Sequence, residues 1–178
     1  NYRSHAGVLN CSTGILQLLF NMFPYCADVL ALDEGLCKGP RPMFFHDIRT
    51  TSRMRQLLER NPKIVVLCRD EVLEDDVLTV DSLRQRIPDS TLLLGIRAAK
   101  GMEFDDVMIV DFFSQLPETE QRWFKKWKKQ LINTEKPDFE REFPELETQL
   151  KLLYTAITRC CNRLIFVETK ESVASSAF

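Results

Sequence analysis

Apolar residues recur at intervals of three and four in three parts of the chain, which is the pattern of an amphipathic helix. The first predicted helix starts at a capping Ser4 and ends before Pro24. The second covers residues 50–60, and the third is marked by apolar positions over residues 146–157. We expect each helix to bury its apolar face against the rest of the domain.

Short apolar runs between and after these helices predict strands, at residues 43–45, 64–68, 91–96, 107–110 and 164–167. A run that is continuously apolar, such as 64–68, fits a strand buried on both faces, as in a parallel sheet. The alternation of helices with such strands predicts an α/β fold, a largely parallel sheet flanked by helices. In folds of this class ligands bind at the carboxyl ends of the strands, so we expect candidate sites there.

The chain has 178 residues and a mass of 20.7 kDa, which is near the size of one ordinary domain. Hydrophobic residues make up 44% and charged residues 28%, so the chain can bury a core and is neither collagen-like nor wholly disordered. Lys and Arg number 24 against 26 Asp and Glu, a net charge of −2. Because there is no general basic excess, any contact with nucleic acid must be local.

The 6 cysteines are dispersed, and no pair has the CxxC spacing of a zinc or redox site. We therefore expect no metal site in the chain. We interpret the cysteines as free thiols in a reducing, intracellular setting, and we leave nucleus and cytoplasm open. The apolar runs are shorter than about 18 residues and are interrupted by charge, so we predict no membrane span.

Three segments carry candidate chemistry: residues 1–4 (NYRS), residues 99–104 (AKGMEF) and residues 154–159 (YTAITR). Their kind and order resemble the UvrD/Rep-like superfamily 1 helicases. The resemblance runs from Asn1 to about Glu168 and implies the second RecA-like domain of such an enzyme, with a P-loop NTPase fold. It is nearest to the helicase-like region of large TPR and ankyrin repeat-containing proteins. The whole chain, 1–178, is then one domain with an insertion at 114–147.

The resemblance implies roles for five residues in an ATP site. Arg3 matches the arginine that reaches the γ-phosphate, and Arg159 matches the arginine finger on the last helix, so both are candidate catalytic residues. Tyr2 matches the aromatic ring that stacks on adenine, and Glu103 matches the carboxylate that binds the ribose hydroxyl. Gly101 permits close approach of the backbone to the nucleotide. A surface ion pair is the commoner use of such an arginine and stays open for Arg159.

A phosphate-cradling loop of the form G-x-x-x-x-G-K-[ST] does not occur in the sequence. The resemblance therefore implies that an N-terminal RecA-like lobe before Asn1 holds most of the ATP and its Mg²⁺. We expect this chain to be inactive alone. Closing and reopening of the two lobes would move a single strand of nucleic acid.

The sequence departs from the family just before the second motif. Family members carry T-x-H there, and Gly95 and Arg97 occupy these positions. Arg97 can still meet a phosphate, and together with Arg69 it is our candidate contact for single-stranded nucleic acid. The departure keeps an alternative function open: a degenerate, helicase-derived scaffold that binds proteins and does not translocate.

A basic, aromatic run around Trp123 and Trp127 lies inside the insertion. Such a run can stack bases and neutralise phosphates. Two tryptophans four residues apart also share one helical face, which is as typical of packing against the domain. Both interpretations stay open. No role is assigned to His5 or His46.

Overall fold

The computed structural model describes residues 4–26, 35–46, 50–70, 80–116, 119, 122, 142–143 and 145–169. The helices with described bounds are α1 (Ala6–Met22), α2 (Thr50–Arg60), α3 (Val80–Arg84) and α4 (Leu146–Ile157). The strands are β1 (Met43–His46), β2 (Val65–Cys68), β3 (Leu93–Gly95), β4 (Phe104–Val110) and β5 (Cys160–Glu168).

The five strands form one sheet in the order β1-β5-β4-β2-β3, and every neighbouring pair is parallel. The prediction of an α/β fold with a parallel sheet flanked by helices is confirmed. All strands start at one edge of the sheet, which we call the amino edge, and end at the other, the carboxyl edge. The residues that lie just before β4 and β5 are therefore neighbours, as are those just after β2 and β3.

The helices cover both faces of the sheet and bury two separate apolar clusters. On one face α1 and α4 pack against one set of alternating strand residues, including Val107 and Ile109 of β4. On the other face α2 and α3 pack against the intervening residues, such as Met108. Each strand of the centre is thus apolar on both faces, which explains why its sequence is a continuous apolar run.

The strands differ from their predicted ranges, by one residue in β1 and β2 and by more in the other three; β4 begins at Phe104 instead of residue 107. The predicted strand 91–96 contracts to Leu93–Gly95 because β3 is the edge strand of the sheet, where Leu92 is 47% exposed. The predicted strand 164–167 extends back to Cys160 because β5 pairs with β4 from Phe104 onward. The added residues include Asn162 and Arg163. Because their side chains are polar, this part of the strand is not an apolar run and was not predicted.

The predicted cap of the first helix is wrong by one residue. The N-cap of α1 is His5, whose Nδ1 accepts a hydrogen bond from the backbone N–H of Gly7 at 3.0 Å. The hydroxyl of Ser4 instead donates to the backbone oxygen of Cys160 at 3.1 Å. His5, to which the sequence assigns no role, therefore closes the start of α1.

Several sequence predictions fall outside the described residues, namely those for Tyr2, Arg3, Trp123 and Trp127. Most of the predicted insertion at 114–147 does so as well, and the insertion stays a prediction. All six cysteines are free thiols. In the described parts of the chain, no helix has the length and apolar character needed to cross a bilayer.

Candidate functional site

The second and third motifs meet at the amino edge of the sheet. Phe104 starts β4, and its backbone N–H donates to the backbone oxygen of Arg159 at 2.8 Å. Arg159 lies in the turn between α4 and β5, not within the helix as predicted, since α4 ends at Ile157. Two motifs separated by about fifty residues in the sequence are thus joined by a backbone hydrogen bond.

The guanidinium of Arg159 is held by three neutral oxygens. Its Nη1 donates to the backbone oxygen of Met102 at 2.9 Å, and its Nε donates to that of Thr155 at 3.2 Å. Its Nη2 donates to the hydroxyl of Thr158 at 3.2 Å. Arginine has five N–H donors, so two are left over, and no carboxylate of the described residues pairs with this side chain. Its positive charge is oriented but not neutralised.

Arg159 also has a structural role in α4. Its bond to Thr155 caps a carbonyl oxygen in the last turn of the helix, where a positive charge is favourable. Arg159 can cap the helix and still bind an anion, because the cap uses only one of its five N–H donors. An experiment that substitutes Arg159 must therefore distinguish a loss of helix stability from a loss of catalytic activity.

The loop beside Arg159 is exposed. Gly101, Met102 and Glu103 are all on the surface, and Gly101 has a φ of 87°. A Cβ at Gly101 would meet no atom within 4 Å, so the glycine is required by its backbone conformation and not by lack of space. The candidate nucleotide-binding residues Gly101 and Glu103 therefore border the anchored guanidinium on an open surface.

The first motif reaches the same edge through Ser4. The hydrogen bond from Ser4 to Cys160 places the last residue of that motif next to Arg159 in the structure. The ring of His5 bonds the backbone oxygen of Asn162, further along β5. Burial raises the pKa of the Cys160 thiol to about 12, so this cysteine is a neutral packing group and not a nucleophile.

The motif residues at this edge correct one expectation. Gly101, Glu103 and Arg159 lie at the amino edge, whereas ligand sites were predicted at the carboxyl ends of the strands. That rule describes loops that follow strands. These residues precede β4 and β5, so the topology carries them to the opposite edge.

Arg69 and Arg97, the candidate nucleic-acid residues, come together at the carboxyl edge. They line one cleft with Asp70, Glu145 and Gln149. Arg97 is exposed, but Arg69 is only 6% exposed. This cleft, which we call the carboxyl-edge cleft, lies across the sheet from Arg159.

Arg69 is directed into the protein. Its Nη2 donates to Oε1 of Gln149 at 2.5 Å, and its guanidinium carbon lies 5.1 Å from the centre of the Phe112 ring. These contacts join the end of β2 to α4 and to the turn after β4. Much of the Arg69 side chain therefore serves the packing of the domain.

Asp70 was not found by the sequence analysis. Its carboxylate accepts hydrogen bonds from the backbone N–H groups of Arg97 and Ala98, with N–O distances of 2.8 and 3.5 Å. A Cβ at Gly95 would lie 1.9 Å from Oδ1 of Asp70. The carboxylate thus occupies the space that the family threonine would need. The available signal was an aspartate two residues after a buried strand, together with a glycine at the end of the next strand, where the resembled helicases have threonine.

Two further carboxyl groups, both buried, lie where β4 and β5 end. Glu168 accepts hydrogen bonds from the backbone N–H groups of Phe113 and Ser114 at 3.0 and 2.9 Å. Asp111, with a φ of 52°, accepts from the backbone and hydroxyl of Thr169 at 2.6 and 2.7 Å. Burial raises the pKa of Glu168 to about 8 and also raises that of Asp111.

The amino edge holds its carboxylate differently. Asp106 forms an ion pair with Arg163, with 2.6 Å between Oδ2 and Nη2. The hydrogen bonds from Arg163 lower the pKa of Asp106. Among the described residues of both edges, no group of histidine, cysteine, aspartate and glutamate is arranged to hold a metal ion.

Comparison with known proteins finds a sequence relative and a solved structure of similar fold. No protein-family model matches it. TPR and ankyrin repeat-containing protein 1 of Homo sapiens is 31% identical over 214 aligned residues, which cover 98% of this chain and 7% of that protein. The crystal structure of the C-terminal domain of a possible DNA helicase from Lactobacillus plantarum covers 99% of this chain and 93% of its own, with a TM-score of 0.51 and 14% identity. At that identity the structural match shows the fold.

These two matches agree with the resemblance based on the three motifs. The fold neighbour is a helicase C-terminal domain, and the sequence relative is matched along nearly the whole of this chain. The chain therefore shares its fold with the C-terminal domain of a possible DNA helicase and is similar in sequence to a part of TPR and ankyrin repeat-containing protein 1.

Proposed function

We propose that the chain is the C-terminal motor domain of an ATP-dependent, superfamily 1 helicase-like ATPase. In this proposal a partner lobe holds the triphosphate, and Arg159 and Arg3 approach the γ-phosphate from the amino edge. Guanidinium groups suit this task because they are planar, permanently charged and able to bond two phosphate oxygens at once. Charge placed there stabilises the negative charge that develops on the transferred phosphoryl group.

The anchoring of Arg159 is the observation that carries this proposal. Three neutral oxygens fix the side chain beside an exposed loop, and two donors stay unused by the described residues. A rigidly held cation without a carboxylate partner attracts an anion at little cost in reorganisation. An arginine with a purely structural function would more often be paired with an acid.

The neighbouring residues supply the rest of the nucleotide wall. We assign the ribose hydroxyl to Glu103, the close backbone approach to Gly101 and the adenine ring to Tyr2. Glu103 and Gly101 are exposed on the same loop as Met102, the residue that holds Arg159. The described residues lack a carboxylate cluster suited to Mg²⁺. We therefore assign the metal and the phosphate-cradling loop to an N-terminal RecA-like lobe.

The same proposal gives the carboxyl-edge cleft a single strand of nucleic acid as its partner. Arg97 is exposed in this cleft and would contact the phosphate backbone, with Arg69 behind it. Closing and opening of the lobes around ATP would move that strand. The likeness in fold to the C-terminal domain of a possible DNA helicase supports this assignment.

The alternative function is a helicase-derived scaffold without translocation. Two observations favour it. Asp70 places a carboxylate in the carboxyl-edge cleft, and Arg69 is used for internal packing. The scaffold would bind proteins and would hydrolyse no ATP in response to nucleic acid.

The proposal is tested by phosphate release from the chain joined to the phosphate-loop lobe that it requires, with single-stranded nucleic acid present. Arg159→Ala and Arg159→Lys should both lower the rate by a factor on the order of 10³ or more. Lysine keeps the charge near the end of α4 but not the planar fork, so it separates capping from catalysis. Arg55→Ala is the matched control, because Arg55 forms only an exposed ion pair with Glu59 in α2.

Near-equal rates for wild type, Arg159→Lys and Arg55→Ala would contradict the arginine-finger role. Complete absence of turnover in every form, with protein binding retained, would favour the scaffold. Thermal unfolding of each variant shows whether a lost rate reflects a lost fold.

A further inference from the structure

The carboxyl-edge cleft contains a fixed negative charge. Both oxygens of Asp70 accept backbone N–H groups of the turn that follows β3, from Arg97 at 2.8 Å and Ala98 at 3.5 Å. A carboxylate held by two amides does not swing away as a free surface aspartate does. Its charge therefore stays at the mouth of the cleft, where Asp70 is exposed to solvent.

Gly95 makes room for this charge. A Cβ on Gly95 would lie 1.9 Å from Oδ1 and 2.7 Å from Cγ of Asp70, so any other residue would displace the carboxylate. Both atoms belong to the Asp70 side chain, and moving them away would impair its hydrogen bonds to Arg97 and Ala98. The observed position of the Asp70 carboxylate therefore requires glycine at position 95.

The cleft thus contains cations and anions together. Arg69 and Arg97 line it, and so do Asp70 and the exposed Glu145. The Asp70 carboxylate is hydrogen-bonded to the backbone of Arg97, so a phosphodiester that approaches Arg97 also comes close to Asp70. Like charges about 4 Å apart repel even in water, and the repulsion offsets part of the attraction to the arginines.

We propose that Asp70 limits the affinity of this cleft for single-stranded nucleic acid. The proposal rests on the nucleic-acid part of the proposed function and adds a residue that acts against binding. Asp70 is a positioning residue for the turn that holds Arg97, and its charge opposes the phosphate backbone. The chain would then bind a strand weakly, and release would be favoured.

The test is the dissociation constant of the 178-residue chain for a fluorescent single-stranded DNA of about 20 nucleotides, at low salt and at 0.3 M salt. Asp70→Asn removes the charge and keeps one oxygen that can accept the backbone N–H of Arg97, although the longer bond from Ala98 loses its acceptor. Binding should tighten by about fivefold at low salt, as expected for one like charge removed near a phosphate. The gain should shrink at 0.3 M salt because the charges are screened.

Asp89→Asn is the matched control. Asp89 is exposed and precedes β3, at the opposite end of that strand from Gly95, and its substitution changes the net charge by the same amount. Its affinity should stay close to that of the wild type. Asp70→Ala is a second variant, and unfolding curves establish that each protein is folded.

An equal or weaker affinity of Asp70→Asn would overturn the inference, because a merely structural aspartate should weaken binding when its hydrogen bonds are impaired. Equal tightening by Asp89→Asn would also overturn it, since the effect would then be one of net charge. Absence of binding in every variant would overturn it too. Hydrolysis that depends on Arg159 judges the ATPase proposal separately and does not depend on Asp70.

Discussion

The two edges of the sheet hold charge in opposite ways. At the amino edge the guanidinium of Arg159 is oriented by neutral oxygens and no carboxylate of the described residues pairs with it. At the carboxyl edge Asp70, Asp111 and Glu168 each accept backbone N–H groups. The amino edge therefore presents a positive charge to the surface, and the carboxyl edge uses the oxygens of acidic side chains as acceptors that fix its own turns.

This difference separates two tasks within one fold. An anion is attracted where a cation is fixed without a counter-charge, which favours the amino edge for a nucleotide. Backbone N–H groups that already bind carboxylates are not available to a ligand. The carboxyl edge is thus better suited to stabilising the fold than to binding a ligand tightly. The difference from the amino edge is clearest in the carboxyl-edge cleft, where Asp70 lies beside Arg69 and Arg97.

The buried carboxylates of the carboxyl edge should dominate the pH dependence of stability. The pKa of Glu168 is about 8 in the folded state against 4.5 as its ordinary value. The folded state therefore binds more protons than the unfolded state between these values, so stability is greatest at low pH and is lost as pH rises toward 8. The free energy of unfolding should fall by up to about 1.4 kcal/mol per pH unit in this window.

Denaturant unfolding between pH 5 and pH 8 measures this slope. Glu168→Gln has no charge to bury, and its curve should be flatter than that of the wild type, although one of the two N–H groups loses its acceptor. A wild-type stability that rises over the same window would show that Glu168 is not the dominant titrating group.

Gly95 and Gly101 give the next comparison. A side chain at Gly95 is disfavoured by lack of space, and a side chain at Gly101 is disfavoured by the backbone conformation. Gly95→Ala should cost about 1–3 kcal/mol of unfolding free energy, since its Cβ would collide with Asp70. Asp70→Ala in the same chain removes the obstacle. The double variant should therefore be less destabilised than the sum of the two single variants, and simple additivity would contradict the collision.

Gly101→Ala should cost about 1–2 kcal/mol for a different reason. Its φ of 87° is unfavourable for any residue with a Cβ, but the space around it is open. No second substitution should rescue it. Gly101→Asn should be milder than Gly101→Ala, because asparagine tolerates the left-handed region better; the same unfolding assay decides between them.

The smallest effect is expected from the ion pair of the amino edge. Asp106→Asn should cost about 1 kcal/mol, because Arg163 is 37% exposed and its partner is largely buried. The pKa of Asp106 is lowered by Arg163, so its contribution is present above its ordinary pKa and is lost as pH falls below about 4. Asp106→Asn should remove this acid-side loss and leave the slope between pH 5 and pH 8 unchanged.

Most of the fold could be predicted from the sequence, because a strand that is buried on both faces consists of consecutive apolar residues. The strand β2 and residues 107–110 of β4 are buried and were found in this way, whereas the start of β4, where Asp105 is exposed, was not. The start of β5 was not found, since Asn162 and Arg163 are polar and are stabilised by Asp106 across the sheet. Pairing between distant strands leaves no local signal.

The candidate site was predictable only in part. The order of the motifs led us to assign Arg159 and the loop at Gly101 to one site, and Arg159 donates a hydrogen bond to the backbone oxygen of Met102 in that loop. The edge at which they meet was predicted wrongly, because the position of a residue before or after its strand decides the edge. Asp70 was missed because its meaning depends on Gly95, which lies in another strand and contacts it only in the folded chain.

Amide hydrogen exchange tests most directly whether a nucleotide binds at the amino edge, as we propose. The chain joined to the phosphate-loop lobe that the proposal requires would be measured with and without a non-hydrolysable ATP analogue. Exchange should slow at residues 101–104 and 158–160, around Arg159, and should stay unchanged at residues 95–98 beside Asp70. Protection confined to residues 95–98, or protection at neither edge while the analogue is bound, would contradict a nucleotide at the amino edge.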